Sequence, residues 1–419
     1  MDIVIGIIVG LLVLMVLVVA HEFGHFLAAR RNGVKVLEFG IGFPPRAIAW
    51  KKDPTTHKWR KLKRSEWEKE KITKVVMDEK TNDGMIFSLN WLPIGGFCQM
   101  DGESAEDKRP GTFGNASFWS KTKILFAGVA ANWLVAWILL TILAWTGMPQ
   151  FLEGQFTIEA DTRSSGGTVM VAGVKEGSPA EAAGFQTGDY IARINGREVN
   201  NGSDVTAINK EYPGEQVTYT ILRPGAPECN CDENLELVAT LNGSDAEYLL
   251  GVSMESSQSY NYSTWSAPIV GAGVTLQMTG ETFRGLGELI WNLISGAGRM
   301  LSFDGEVRES GQAAISAAGE SVAGPIGIIG VIFPRYTAAG PSNLLFLAAL
   351  ISVSLACMNV LPIPALDGGR WLLFAIYKIR RKTLTKATEQ KIVSRAMVAL
   401  LAIMAVVAVL DVVRLFHEK

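Results

Sequence analysis

Residues Ile3–Ala29 form one continuous apolar stretch with no proline and no charged side chain before Glu22. A helix this long and oily has no place on a water-soluble domain, because crossing roughly 30 Å of hydrocarbon takes about 20 helical residues. Ile124–Trp145 and Val393–Val413 have the same character, and Leu344–Leu361 is a fourth stretch, interrupted by Ser352, Ser354 and Asn359. Four membrane spans are therefore predicted. A hydrophobic fraction of 48% beside a charged fraction of 19% agrees with an integral membrane protein carrying a sizeable polar portion. The spans make the lipid bilayer an expected partner, and a net charge of only −2 indicates no bulk attraction to nucleic acid. The first stretch is expected to remain as a span. Met1-Asp2 lacks a basic n-region, and the apolar run exceeds a signal-peptide core.

Basic residues near span ends set orientation. From Arg30 to Lys74 there are 14 Lys/Arg against 5 Asp/Glu, and YKIRRKTLTKATEQK before the last span holds six basic residues and one Glu. Residues 150–340 instead carry 10 basic and 23 acidic residues. The basic loops are expected in the cytoplasm and the acidic loop outside, with both chain ends outside. Cys98 and Cys357 lie in or beside membrane segments. Cys229 and Cys231 are read as thiols, with a disulfide as the alternative, since a bridge at that spacing closes a strained small ring.

The chain divides into four parts. Residues 1–150 form a membrane core with two spans. Within them, VKVLEFGIGFPPRAIAW and MIFSLNWLPIGGFCQMDGE are rich in strand formers and punctuated by Gly and Pro, which predicts a β-hairpin element, read as membrane-associated with an ordinary cytosolic hairpin as the alternative. Non-helical backbone at that depth must be buried against protein or a wet cavity. Residues 160–255 read as strands and short helices, with Asn195-Gly196 marking a tight hairpin turn. The order around SPAEAAGFQTGDYIARING resembles a bacterial PDZ domain. Residues 256–340 contain a helix over Ser266–Leu301, read as amphipathic and lying at the outer membrane surface with a helix packed on the spans as the alternative, and the short, broken apolar piece VAGPIGIIGVIF; 341–419 form a second membrane core with two spans. The fold class expected is an α-helical membrane protein with four transmembrane helices, a membrane-associated β element and an inserted extracytoplasmic α+β PDZ domain.

The first span holds His21-Glu22-Phe23-Gly24-His25, an H-E-x-x-H pattern. Residues four apart share one helical face, so His21 and His25 can reach one zinc ion, with Glu22 placed as general base. Ionisable groups inside an apolar span cost at least about 2.5 kcal/mol for a carboxylate at its centre, which a metal and water would offset. A catalytic zinc takes three protein ligands and keeps one position open. His57 and His417 lie in peripheral segments. Asp367, in NVLPIPALDGGRW, lies at the same depth as His25, and two prolines open the backbone around it. The alternative for Asp367 is that it caps a helix beginning at Gly368.

HEFGH, GIGFPP after it, FAGVAANW in the second span, the PDZ-like unit, GPIGI and NVLPIPALDGG together resemble the site-2 protease family in its bacterial RseP-type, single-PDZ form. The resemblance covers nearly the whole chain in the right order. It implies an intramembrane zinc metalloprotease with His21, His25 and Asp367 as metal ligands and Glu22 as catalytic base. It also implies substrate-binding roles for Asn359, Pro362 and Pro364, and Gly128 and Asn132 match the family's G-x-x-x-N. The Gly-rich strand with Gly40 and Gly42 is expected to offer a free edge to an unwound substrate. Implied partners are single-span membrane proteins already trimmed outside, such as anti-sigma factors or remnant signal peptides, and a peptide or protein ligand at the PDZ domain. The implied location is the bacterial cytoplasmic (inner) membrane, multi-pass, with the N-terminus and PDZ domain extracytoplasmic. Two other classes compete: a non-catalytic PDZ-bearing scaffold, which leaves the buried HEFGH without a reason, and a metal transporter, which needs polar groups at every depth.

Overall fold

The computed structural model describes residues 2–53, 56–64, 84–104, 106–152, 154–165, 169–199, 201–223, 235–243, 246, 248–256, 259–300, 302, 304–320 and 324–417. Cys229 and Cys231 fall outside them. Among the described residues four helices are long and apolar enough to cross a membrane: Ile3–Arg31, Phe118–Thr146, Pro341–Val360 and Lys386–Arg414. In the third, 50% of the apolar window is buried in the protein against 6% in the fourth, so the third carries the packing. The chain forms two compact units, one of Met1–Leu140 with Gly271–Lys419 and one of Thr141–Val270.

Helix α1 (Asp2–Arg31) is followed by β1 (Val36–Lys52), β2 (Trp59–Lys61), β3 (Ile86–Met100) and helix α2 (Phe118–Thr146), which runs in the first unit as far as Leu140. The expected hairpin is more elaborate than the sequence suggested. β1 doubles back at Gly42, and β3 does so around Leu92–Gly95. Residues 36–41 consequently pair on one side with 96–100 and on the other with 86–89, which also pair with 48–51. Gly42 makes the first turn possible: its φ is +77°, and a Cβ there would lie 2.5 Å from the Leu92 carbonyl oxygen. Buried Glu38 ties the two halves of β1 together, accepting from Arg46 Nε at 3.0 Å and from Ser88 Oγ at 2.7 Å.

Small residues set how closely α1 is approached. A Cβ on Gly6 would lie 2.3 Å from Pro334 Cα, and one on Gly10 would lie 2.6 Å from the Phe333 ring. That four-residue spacing of small side chains lets apolar helices touch along their backbones. The contacting segment is VAGPIGIIGVIF, which forms a broken helix (Pro325–Gly327, Ile328–Ile332, Phe333–Ala338) lying on α1. Before it come α3 (Ala267–Met300) and α4 (Gly305–Glu320), and after it α5 (Pro341–Val360), α6 (Asp367–Ile379) and α7 (Lys386–His417). An acid in an apolar span needs a reason. Buried Asp411 of α7 has one, accepting the backbone N–H groups of Gly324 at 3.1 Å and Gly327 at 2.8 Å.

The second unit holds a sheet in which Leu235–Thr240, Gln216–Leu222, Tyr190–Ile194, Val169–Val174 and Val252–Ser256 lie side by side in that order. Two short helices, Pro179–Ala183 and Gly202–Lys210, cover the core formed by Val171, Ile191, Val205, Ile208 and Tyr219. Asn195 and Gly196 have φ of +48° and +78° and close the two-residue hairpin in which Ile194 pairs with Arg197. Asp161 accepts the backbone N–H of Thr264 at 2.8 Å and of Ser266 at 3.0 Å, and both hydroxyls as well. Desolvation pushes its carboxyl up, but these Ser266 and Thr264 donors outweigh that and hold it well below the usual carboxylate range. A depressed folded-state value contributes stability above the unfolded pKa of about 3.9 and loses it as pH falls further. Asp161→Asn is accordingly expected to lower the melting temperature of the full-length protein at pH 7, with the difference shrinking below about pH 4. A difference constant from pH 7 to 3 would refute the assignment.

Candidate metal centre

α1 and α2 meet where side chains are smallest. A Cβ on Gly24 would stand 2.3 Å from the Ala127 carbonyl oxygen and 2.9 Å from Ala131 Cβ. This close crossing turns His21 and His25, one helical turn apart, onto α2. His25 Nδ1 donates to the Ile124 carbonyl oxygen at 2.8 Å, which leaves Nε2 free for a metal. His21 Nδ1 lies 3.3 Å from the Asn132 carboxamide nitrogen. Between these partners comes Gly128, whose bare Cα fits beneath both rings: a Cβ there would be 2.5 Å from His25 Nε2 and 2.7 Å from His21 Nε2. Both imidazoles are buried.

The third group arrives through a sharp break in the chain. α5 ends at Val360, and the residue before Pro362, Leu361, is extended, as proline requires of its predecessor. α6 then starts against the turn just made. A side chain on Gly368 would meet the Val360 carbonyl oxygen at 2.1 Å, and one on Gly369 the Ile363 carbonyl oxygen at 2.0 Å. Only glycine fits at either place, and the tight packing fixes the first turn of α6. Asp367 is itself the first residue of that helix, and the residue at its cap position is Leu366. The capping alternative therefore falls away. The Asp367 carboxylate points at the imidazoles, with Oδ2 3.1 Å from His21 Nε2 and 3.2 Å from His25 Nε2.

The two imidazole nitrogens are also 3.1 Å apart, so three donor atoms form a nearly equilateral triangle. A tetrahedral zinc with bonds of about 2.0–2.1 Å spaces its ligand atoms about 3.3–3.4 Å apart. The triangle matches that spacing to within a few tenths of an ångström, and two imidazoles with one carboxylate suit zinc chemically. Glu22 stands next to His21 in the chain and faces the same chamber. A cavity of about 250 Å³ opens on the cluster, and Glu22, Cys98, Leu125, Asn359 and Arg370 also line it. A second cavity of about 850 Å³, lined by polar residues of 99–109 and the start of α7, shares Met100, Glu103, Ala365 and Arg370 with the first.

Of the residues anticipated from sequence, His21, Glu22, His25, Asp367 and Asn359 come together around one cavity. Pro362 and Pro364 shape the turn and do not line it. Gly40 sits inside the sheet, paired with Phe97 on one side and Ser88 on the other, and Gly42 is at the fold-back turn. The free edge is the other one: residues 96–99 pair only with 36–41 among the described residues, and Gly96 packs beside Glu22. Isolated sequence could not show this, because a single register decides which half of each strand becomes the edge.

An H-E-x-x-H helix whose imidazoles meet a carboxylate from another helix, inside a bundle of apolar helices, defines a metalloprotease-type centre at membrane depth. The chain belongs to peptidase family M50, whose model matches residues 9–63 and 62–404. It is similar, at 25% identity covering 96% of each chain, to the regulator of sigma-W protease RasP of Bacillus subtilis. The zinc metalloprotease RasP of Shouchella clausii is 26% identical over 92% of this chain and 94% of its own length. That of Bacillus licheniformis is 25% identical over 96% and 97%. The chain is thus an intramembrane zinc metalloprotease, as its sequence resemblance implied.

Proposed function

We propose that His21, His25 and Asp367 hold the zinc and that the chain cleaves peptide bonds within transmembrane segments of single-span membrane proteins. The observation that carries this is the triangle of donor atoms, built from two helices far apart in sequence. Zinc held there would supply Lewis-acid polarisation of the scissile carbonyl and lower the pKa of a water. Glu22 takes the proton of the attacking water and passes it to the leaving amine. Hydrolysis inside a bilayer also needs water, and the larger polar cavity adjoining the metal chamber offers its route.

A transmembrane helix hides its carbonyls in hydrogen bonds, so the substrate must unwind before attack. The edge at residues 96–99, beside Glu22, suits an extended segment, which would add there as a strand; at its end the Met100 N–H is taken by Glu103 Oε1 at 3.2 Å. Asn359 lines the chamber and is assigned to hold the substrate backbone. The experiment is zinc analysis of the purified protein, paired with cleavage of a single-span substrate in proteoliposomes. One zinc per chain is expected, and its loss in His21→Ala, His25→Ala and Asp367→Ala. Stoichiometric zinc surviving all three substitutions would end the assignment.

Residues 160–255 are assigned as a PDZ domain outside the bacterial cytoplasmic membrane, with the basic loops in the cytoplasm. Support comes from its strand order and from the groove between helix Gly202–Lys210 and edge strand Val252–Ser256. Val205, Asn209, Leu250, Val252 and Met254 line that groove of about 430 Å³, which suits an added peptide strand. The name of the Bacillus subtilis relative ties that protein to regulation of sigma-W; anti-sigma factors, cleaved in regulated intramembrane proteolysis, are the substrate class we assign in keeping with it, and remnant signal peptides meet the same single-span criterion. In this reading the external unit excludes bulky ectodomains and admits trimmed stubs. Deleting residues 160–255 is expected to allow cleavage of untrimmed substrate. Continued rejection of untrimmed substrate by an otherwise active deletion protein would count against the filter.

A further inference from the structure

We propose that Asn132 is the positioning residue for His21: its carboxamide oxygen accepts a hydrogen bond from the Nδ1–H of that imidazole and so fixes Nε2 as the metal-binding nitrogen. This rests on the ligand set proposed above. The argument starts from the second nitrogen of each ring. A neutral imidazole carries one proton, and the partner of one nitrogen decides which lone pair is free on the other. His25 is settled by the Ile124 carbonyl, which can only accept. His21 has one candidate partner on that side, the Asn132 carboxamide at 3.3 Å from Nδ1.

Asn132 is fully buried, at 0% exposure, within an apolar span. With its nitrogen toward the ring, its Oδ1 has no hydrogen-bond partner. A buried carboxamide in a span costs free energy and calls for a specific use. Turning the amide end for end exchanges two groups of nearly equal size, O and NH₂. It brings the acceptor to Nδ1, where a proton must sit once Nε2 is directed at a metal. The backbone holds the amide in place: Ser352 Oγ of α5 donates to the Asn132 carbonyl oxygen at 2.8 Å. Ile124, Gly128 and Asn132 are spaced by four residues along α2, so one stripe of this helix serves both imidazoles. The stripe provides an acceptor, a gap for the rings, and a second acceptor.

The test uses the full-length protein in detergent, with zinc affinity measured by chelator competition. Asn132→Leu keeps the volume and removes the acceptor. Asn132→Asp keeps an acceptor and removes the donor. Removing a partner of this kind typically costs about 10–100-fold in metal affinity. The Leu variant is expected to lose that much in zinc affinity and the Asp variant, which keeps the acceptor, to stay close to wild type. Leu binding zinc as wild type does, or Asp losing as much as Leu, overturns the proposal. If the Leu variant fails to fold, nitrogen chemical shifts of His21 in the zinc-loaded wild type decide instead: a proton on Nδ1 supports the proposal, and a bare or metal-bound Nδ1 overturns it. A wild-type protein that takes up no zinc would instead sink the ligand assignment beneath it.

Discussion

Glu22→Gln is expected to cut proteolysis by about 10²–10⁴-fold, the range for losing a general acid–base group, while the protein keeps its zinc. The substitution preserves shape and one acceptor oxygen, and removes the ability to take and return a proton. Glu22 lines the metal chamber, yet it is not among the three groups whose donor atoms converge. Retention of zinc therefore separates a base from a ligand. The measurement is single-turnover cleavage of a single-span substrate in proteoliposomes, with zinc determined on the same preparation. Parallel loss of zinc and activity would make Glu22 a ligand or a structural acid, and wild-type cleavage would remove it from the chemistry altogether.

Much of this centre was legible before any coordinates, for one physical reason. Charge and imidazole are costly in an apolar span, so His21, Glu22, His25 and Asp367 stood out against their surroundings. The prolines and glycines around Asp367 also announced a broken helix. What stayed hidden depends on packing. Gly128 reads as an ordinary small residue in a span, and only the helix crossing at Gly24 reveals that two rings lie over it. Asn132 was visible as a polar residue in the second span, but its partner lies 111 positions away in sequence. Gly40 and Gly42 suggested an accessible strand because glycine exposes backbone. The doubling back of β1 and β3 instead placed Gly40 between two strands and moved the free edge to residues 96–99. Turns that reverse a strand set its register, and composition alone does not specify which half ends up outside.

Gly128→Ala tests that packing directly, and its expected effect runs against local preference. In the middle of a helix Ala is favoured over Gly by roughly 0.5–1 kcal/mol, so a purely local account predicts a sturdier protein with full activity. The added methyl would instead lie 2.5 Å from His25 Nε2, and 2.6 and 2.7 Å from His21 Cε1 and Nε2. Swinging the rings aside means breaking the His25 bond to Ile124 and turning both nitrogens away from Asp367. Moving the helices apart means opening the Gly24 contact with Ala127. Either way the donor atoms leave their triangle by something near an ångström, a displacement that costs on the order of 10²-fold in a catalytic site. Zinc affinity and cleavage are both expected to fall by about that factor or more. Gly280→Ala on α3, where a new Cβ meets nothing within 4 Å, serves as the control and should change neither. Full zinc affinity and wild-type cleavage in Gly128→Ala would mean that the imidazoles are not held against this helix, and the geometry proposed for the centre would have to be abandoned.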